Sequence, residues 1–511
     1  MIKRRVVELL EKYDAIFIGS GLGSLVCAAY MAKAGVKVAI LEKHTITGGF
    51  ATSFRRKKWE FDVSLHAMSD CAEGGQLHDV LQELGIYDRL RLEKTEILYR
   101  CVYPNGSFSA GSNYQQMLRE LIEQHHEDAN GLKALINEFI KLNDELRSMR
   151  RGLPVNSTIF RKYKNYTLKQ MLDEFIQSPQ LQMKISALWG YFGSPPDELS
   201  AIYFVNGWVE YHLYGGYYPT DRSQSISNLL RDLIISNGGH ILNRRKVNKI
   251  ITEDGVAIGV VTDKGEEFKG HYIVSNADLQ QTFRDMVGFD KLPVDYAEKI
   301  RKVEPSCSTV QAYLILNGDL RHDYGEEAHE IFIHETNDYK TLADDLLHTR
   351  EERLPFCVTY YENIIKGYRD QGKSTVSIFT LSNYDDWCDL DEREYETKKE
   401  ESLKSLINRM DHYYPGVKQK IEYAELATPM TVERYTGHYK GAIYGSAKTV
   451  DQLLENGVNQ VTPIKNLFLV GGWTRNGHGY SGVMVGGARL ANMLLLRRRR
   501  QRIKGEGQTI C

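Results

Sequence analysis

Two kinds of residue in this chain have types and spacings that could carry chemistry. The first kind moves protons. His66 follows Asp62 by four residues in "EFDVSLHAMS", and His478 and Tyr480 lie in "WTRNGHGYSG" near the other end. An imidazole titrates near neutrality, and a phenol can donate or accept within a hydrogen bond. Each side chain also serves as an ordinary structural hydrogen-bond partner. The second kind needs no side chain. Gly19, Gly21 and Gly23 crowd between "AIFIG" and an alanine-rich stretch that closes on Gly35. Backbone N–H groups at such a strand-to-helix turn, with the helix N-terminus behind them, cradle a pyrophosphate.

The elements around those glycines must be a β-α-β unit. "AIFIG" reads as a strand buried on both faces, the alanine-rich run as a helix, and "VKVAILE" as a second strand. Glu42 closes that strand about twenty residues after Gly21. A carboxylate there accepts hydrogen bonds from a ribose diol and repels a 2′-phosphate, so NADP is not expected. Ser24 stands where the third glycine of G-x-G-x-x-G would be. It is small enough for close helix–strand packing. In this context the fingerprint predicts a dinucleotide site.

A second glycine-rich segment, "NLFLVGGWTRNGHGYSGVMVGGARLANMLLL", reads as a strand from Leu467 to Val470, a loop, and a helix from about Ser481. Gly471, Gly472, Gly482 and Val483 are candidates for close approach to the same ligand. Between the two ends, "SISNLLRDLIISNGGHIL" reads as helix and strand, and three strand-like runs lead to "HYIVSNAD". Turns fall at Asp254-Gly255 and Lys264-Gly265. The nucleotide domain is thus expected to assemble from separated pieces, with Val247 beside the adenine.

The chain has 511 residues, which calls for more than one core. Its net charge is −2, so no overall field favours nucleic acid. Seven dispersed cysteines without a CxxC pair argue against a disulfide framework or a zinc site, and point to a reducing, cytoplasmic setting. No HExxH or similar metal-ligand spacing occurs. "HHED", His125 to Asp128, reads as a solvated helical face. The uncharged run Ala15 to Ala32 is broken by glycines, so no transmembrane helix is expected. The tail "RRRRQRIK" after "LANMLLL" is a solvated helix end that could also meet anionic lipid as a peripheral contact.

The pieces together resemble the superfamily of phytoene desaturases, carotenoid isomerases and retinol saturases. The resemblance rests on "IGSGLGSLVCAAYMAKAG", "LEKHTITGGFATSF", "WEFDVSLHAMS", "GVVTDKGEEFKGHYIVSNAD", "PMTVERYTGHYKGAIYG" and "NLFLVGGWTRNGHGYSGVMVGG". "KHTITGGF" looks like the second phosphate-side loop of FAD enzymes. The resemblance therefore implies FAD, with Lys43, Gly48 and Gly49 joining Gly19, Gly21, Gly23, Ser24 and Glu42 around it, and His66 near the flavin. "EFDVSLHAMS" looks closest to the saturase branch. Two departures fall where the resemblance puts flavin or substrate. Gly472 stands where an Asp is usual, and Asp221 and Arg222 replace the glycines of Tyr-Pro-x-Gly-Gly.

The expected fold is α/β. A discontinuous Rossmann-type FAD-binding domain (residues 1–105, 217–290 and 445–500) carries a helical lid (106–216). An α+β substrate domain with an antiparallel sheet (291–444) and a basic tail (501–511) complete it. "WGYFGSPPDELSAIYFVNGWVEYHLYGGYY" holds ten aromatics, either a packed helical core or the lining of an apolar slot. The implied activity is saturation, desaturation or cis–trans isomerisation of a hydrophobic polyene or isoprenoid, with an unspecified electron partner. The alternatives are a flavin amine oxidase-like enzyme and a non-catalytic flavin-binding scaffold.

Overall fold

The computed structural model describes residues 12–507 except 112, 337, 348–350, 454–455, 476 and 478. The predicted β-α-β unit is present as strand Tyr13–Ile18, helix Leu22–Lys33 and strand Val38–Glu42. The two strands are parallel. His240–Asn243 adds in parallel beyond the second strand. Glu267–Ser275 and then Leu467–Leu469 add in parallel beyond the first. Five parallel strands thus come from three separated stretches of chain, as the spacing of the motifs predicts.

Period-two alternation explains why both faces of this sheet are buried. Ala15, Phe17, Val38 and Ile40 pack under helices Leu22–Lys33, Gln224–Ser236 and Gly479–Gly507. Ile16, Ile18, Ala39 and Leu41 pack on the opposite face against Val247, Ile250, Val260 and Phe268. Those four belong to an antiparallel meander, Val247–Glu253, Val256–Thr262 and Glu267–Ser275. The last strand does both jobs. Its start closes the meander, and its end runs into the parallel sheet.

A second seven-stranded sheet has the order Ile421–Ala427, Ser308–Asn317, Lys373–Ser382, Phe356–Tyr360, Glu330–Ile333, Ile97–Tyr103, Gly106–Gly111. All its pairs are antiparallel except Glu330–Ile333 against Ile97–Tyr103. The boundary expected at residue 105 therefore falls inside a hairpin whose two strands both belong to this sheet. Short half-buried strands carry no mark of which sheet they join, because register and partner are set by distant chain. On strand Ser308–Asn317, Val310, Ala312 and Leu314 pack toward helix Glu392–Tyr413. Thr309, Gln311 and Tyr313 point the other way, into the cavity described below.

Residues 114–214 are mainly helical and pack on the second sheet in one core, which joins the fully buried Phe139, Phe204 and Trp208 to Tyr99, Cys101 and Cys357. "HHED" is not a plain solvated face. The buried Asp128 carboxylate accepts from Gln177 N (2.8 Å) and Ser178 N (2.9 Å), which pins the loop before helix Pro179–Ile185. The C-terminal helix Gly479–Gly507 runs into the segment expected to be a separate tail. Arg498 pairs with Asp14 at 2.8 Å, and Arg497 lies over the Phe468 ring. Among the described residues no helix is long and apolar enough to cross a membrane.

The first and last helices touch at backbone. A Cβ on Gly487 would sit 2.4 Å from the Gly23 carbonyl oxygen. Gly487→Ala gains a little helix propensity but must push two backbones apart, and overpacking of this kind costs about 1–3 kcal/mol. Denaturant unfolding should show that loss. Gly190→Ala, whose Cβ would meet open space, should unfold with the wild type.

Candidate active site

A single cavity of about 1620 Å³ runs between the two sheets and under the helical segment. Ordinary ligand clefts hold roughly 300–1,000 Å³, so this one has room for a dinucleotide and a second molecule. At one end lie the glycine loops. Of the residues predicted to hold a cofactor, Gly19, Gly21, Gly23, Glu42, Lys43, Gly48, Gly49, Val247, Gly471, Gly472, Gly482 and Val483 all line it. Ser24 does not. It is fully buried in the helix, and its hydroxyl has no hydrogen-bond partner among the described residues. The close packing expected of Ser24 is done by Gly23, whose Cβ would lie 3.0 Å from Val470 Cγ2 and 3.2 Å from Gly471 N.

The loop is held by side chains that the motif does not name. Glu42 Oε2 accepts from Ser20 N (2.8 Å) and Ser20 Oγ (2.6 Å), and Oε1 accepts from His44 N (2.7 Å). Gly48 N donates to Ser20 Oγ at 3.1 Å, so one carboxylate ties both glycine loops together. Gly49 comes so close to Gly21 that a Cβ on it would lie 3.2 Å from Gly21 Cα. Asn276, in the "SNAD" turn, accepts from Gly21 N (3.1 Å) and donates to Val470 O (2.9 Å). Burial lowers the Lys43 ammonium pKa against the pull of Glu42.

Beyond the loops the cavity becomes aromatic. Four of the ten aromatics singled out in the sequence, Tyr191, Phe192, Tyr203 and Tyr211, line it. Trp189, Phe204 and Trp208 are core. Both readings of that stretch hold, for different residues. Helix Ala201–Tyr214 divides them by its turn: 203, 206, 207, 210 and 211 face the cavity, and 204, 205, 208 and 209 face the core. The same cavity-facing stripe brings in polar groups. Asn206 Nδ2 donates to Glu210 Oε1 (2.7 Å), and across the cavity Arg489 Nη2 donates to Gln76 Oε1 (2.8 Å).

His66 also lines the cavity. Its ring stacks on Phe379 (4.8 Å between centroids), and Nδ1 shares a 2.6 Å hydrogen bond with Thr359 Oγ1. Burial, reinforced by His329, lowers this imidazole to about 3, so it is neutral at pH 7. Tyr480 lines the cavity and donates to Phe50 O at 2.9 Å. Burial pushes its phenol far above the ordinary range. His478 lies outside the described residues.

Two predicted departures resolve differently. Asp221 and Arg222 do not line the cavity. Asp221 pairs with Arg91 at the surface. Arg222 keeps the left-handed backbone of a glycine (φ 64°) and turns its guanidinium behind the site, over Tyr361 and toward Thr375. A positive φ aims the side chain away from the slot, which the sequence alone does not reveal. Gly472 does line the cavity, as expected.

The sequence reading missed an acid. Glu330 is buried at the start of "EIFI", where the Tyr191 hydroxyl donates to it. Burial lifts its carboxyl to about 8, opposed by that hydrogen bond. The available signal was a carboxylate adjoining an all-apolar strand.

Residues 25–492 match the family of flavin-containing amine oxidoreductases. The chain belongs to that family. Within it, the chain is 25% identical over 513 residues to an all-trans-retinol 13,14-reductase of Danio rerio, covering 90% of this chain and 82% of the relative. It is 28% identical over 505 residues to a chloroplastic prolycopene isomerase 2 of an Oncidium hybrid cultivar, covering 94% and 84%. These likenesses support the superfamily that the sequence resembles. A solved putrescine oxidase with putrescine bound shares the fold, with a TM-score of 0.67 at 14% identity over 95% of this chain and 99% of that one. The protein is an FAD-dependent oxidoreductase. The side-chain-free cradle at Gly19, Gly21, Gly48 and Gly49 and the cavity volume fit that cofactor.

Glu42→Ala strips the acceptor from Ser20 and His44 and unties the glycine loops. FAD affinity should fall by about 1.5–3 kcal/mol, on the order of ten- to a hundredfold. A flavin fluorescence titration of the apoprotein reads this directly. Unchanged affinity would move the adenosine end of the site elsewhere.

Proposed function

We propose that this oxidoreductase works on carbon–carbon double bonds of an elongated hydrophobic polyene or isoprenoid molecule, and that saturation is the direction its groups serve best. The observation that carries the reading is one cavity in which an aromatic slot continues directly from the dinucleotide cradle. The names of the relatives, a retinol reductase and a prolycopene isomerase, support the substrate class. Bound FAD supplies hydride transfer. The chain's own residues do the rest. Tyr191, Phe192, Tyr203 and Tyr211 flank a flat conjugated body and exclude water. His66, neutral and stacked on Phe379, shapes the slot rather than protonating the substrate.

The proton goes to the carbon beside the one that receives hydride. Tyr191 lines the slot and its hydroxyl is hydrogen-bonded to Glu330. When the protonated carboxyl is the donor in that pair, the phenol O–H turns to the substrate, and a proton given up there is replaced from the carboxyl behind it. With its value near 8, Glu330 keeps that proton at pH 7. The polar stripe of Asn206, Glu210, Gln76 and Arg489 would seat an oxygenated end of the substrate, where a hydroxyl can both donate and accept.

Saturation by the reduced protein should be seen anaerobically as bleaching of a polyene alcohol. Its rate should be level below pH about 8 and fall above it, as Glu330 ionises. Glu330→Gln should keep its flavin, lose at least about tenfold in turnover and lose the alkaline limb. His66→Phe should retain FAD and change turnover without removing that limb. If polyenes stay intact while amines release peroxide, the fold's amine chemistry is the better reading.

A further inference from the structure

The cofactor wall contains a buried cation that neither the motifs nor the proposed chemistry accounts for. Lys448 is 0% exposed. Its ammonium donates to Ser446 Oγ and to Gly472 O, each at 3.1 Å. The Tyr203 ring lies 5.7 Å from Nζ, on the helix that lines the slot. Its own carbonyl accepts from Ser200 N at 3.0 Å, just ahead of that helix. The facing groups are therefore one hydroxyl, one carbonyl and one phenol ring. No carboxylate forms an ion pair with it among the described residues.

A cation in such a place is costly unless something compensates it. The geometry shows where compensation is needed. Gly472 and Gly445 meet backbone to backbone: a Cβ on Gly445 would lie 2.4 Å from Gly472 C. Gly445, Gly471, Gly472 and Trp473 line the cavity, and Lys448 sits directly behind them. Those four residues carry no side-chain charge, and Arg475 of the same loop also lines the cavity. A two-electron-reduced isoalloxazine is anionic near neutral pH, and a positive charge close to the ring is one of the levers by which a protein tunes it.

We infer that Lys448 is a positioning residue that braces the Gly471–Trp473 wall and lends positive charge to the reduced form of the bound flavin. This rests on FAD lying against that wall. The ammonium is a counter-charge supplied from behind the backbone instead of from within the slot. Burial alone lowers Lys448 to about 7, with no charged neighbour contributing. The charge is thus mostly present at pH 6 and mostly absent at pH 9 in the oxidised protein. An anionic partner would hold it on, so reduction and protonation of Lys448 are linked.

The test is the two-electron midpoint potential of the FAD-loaded protein between pH 6 and pH 9, together with dissociation constants for oxidised and reduced FAD. At pH 6, Lys448→Met should lower the preference for reduced over oxidised FAD by about tenfold, equivalent to about 30 mV. The gap from wild type should narrow as pH rises. The flavin's own protonation is common to both proteins and cancels in the comparison. Lys448→Arg keeps the charge at every pH, so it should match wild type at pH 6 and exceed it at pH 9. If Lys448→Met does not fold, the arginine comparison decides alone. Equal potentials and equal pH dependence in wild type and variants would overturn the inference. Tight FAD binding in all three would leave the cofactor assignment standing in that case.

Discussion

Backbone must touch backbone at Gly23 for this molecule to have a site at all. The first helix meets the last at Gly487 and the turn after the last strand at Gly471, and at each point a Cβ would intrude. Because the two glycine-rich segments close on each other there, the cavity is walled by Gly19–Gly23 together with Gly471, Gly472, Trp473 and Tyr480–Val483. Neither segment presents a complete surface alone. The rest of the site is arranged around this closure. Glu42 ties the two N-terminal glycine loops through Ser20, and Asn276 bridges Gly21 to Val470. The interaction is steric, so it tolerates little substitution, whereas the hydrogen bonds around it are individually modest.

Burial then sets the chemistry. His66 is held neutral, Glu330 is held protonated, and Lys448 stands near its titration point, each chiefly because water is excluded. The same exclusion suits a hydrophobic substrate beside a flavin. The second sheet contributes by alternation: strand Ser308–Asn317 sends Val310, Ala312 and Leu314 to one core and Thr309, Gln311 and Tyr313 to the cavity. A roof of this kind places polar side chains over the slot without leaving backbone groups unpaired.

Relatives that reduce retinol or isomerise prolycopene, and a structural neighbour that binds putrescine, share one frame. What separates such chemistries is carried by the slot and not by the nucleotide cradle. Here the slot combines flat aromatics with a buried carboxyl behind Tyr191 and a short polar stripe at Asn206 and Glu210. The replacement of two glycines by Asp221 and Arg222 has no bearing on it, since neither residue reaches the cavity.

Much of the frame was legible in the residues. The β-α-β unit, the acidic end of the second strand, the glycine pair at Gly48 and the return of "HYIVSNAD" to the parallel sheet all follow from local pattern. Glycine spacing and hydrophobic period are read within one element, and these elements obey them. The placement of Ile97–Tyr103 in the second sheet, the retreat of Arg222, the role of Gly23 in place of Ser24, and the meeting of Tyr191 with Glu330 were decided by the tertiary structure. Each depends on which distant segment arrives beside it. Protonation is the clearest case: the sequence by itself determined that His66, Glu330 and Lys448 can carry charge, but only the packed interior, by excluding water, decided which of them does.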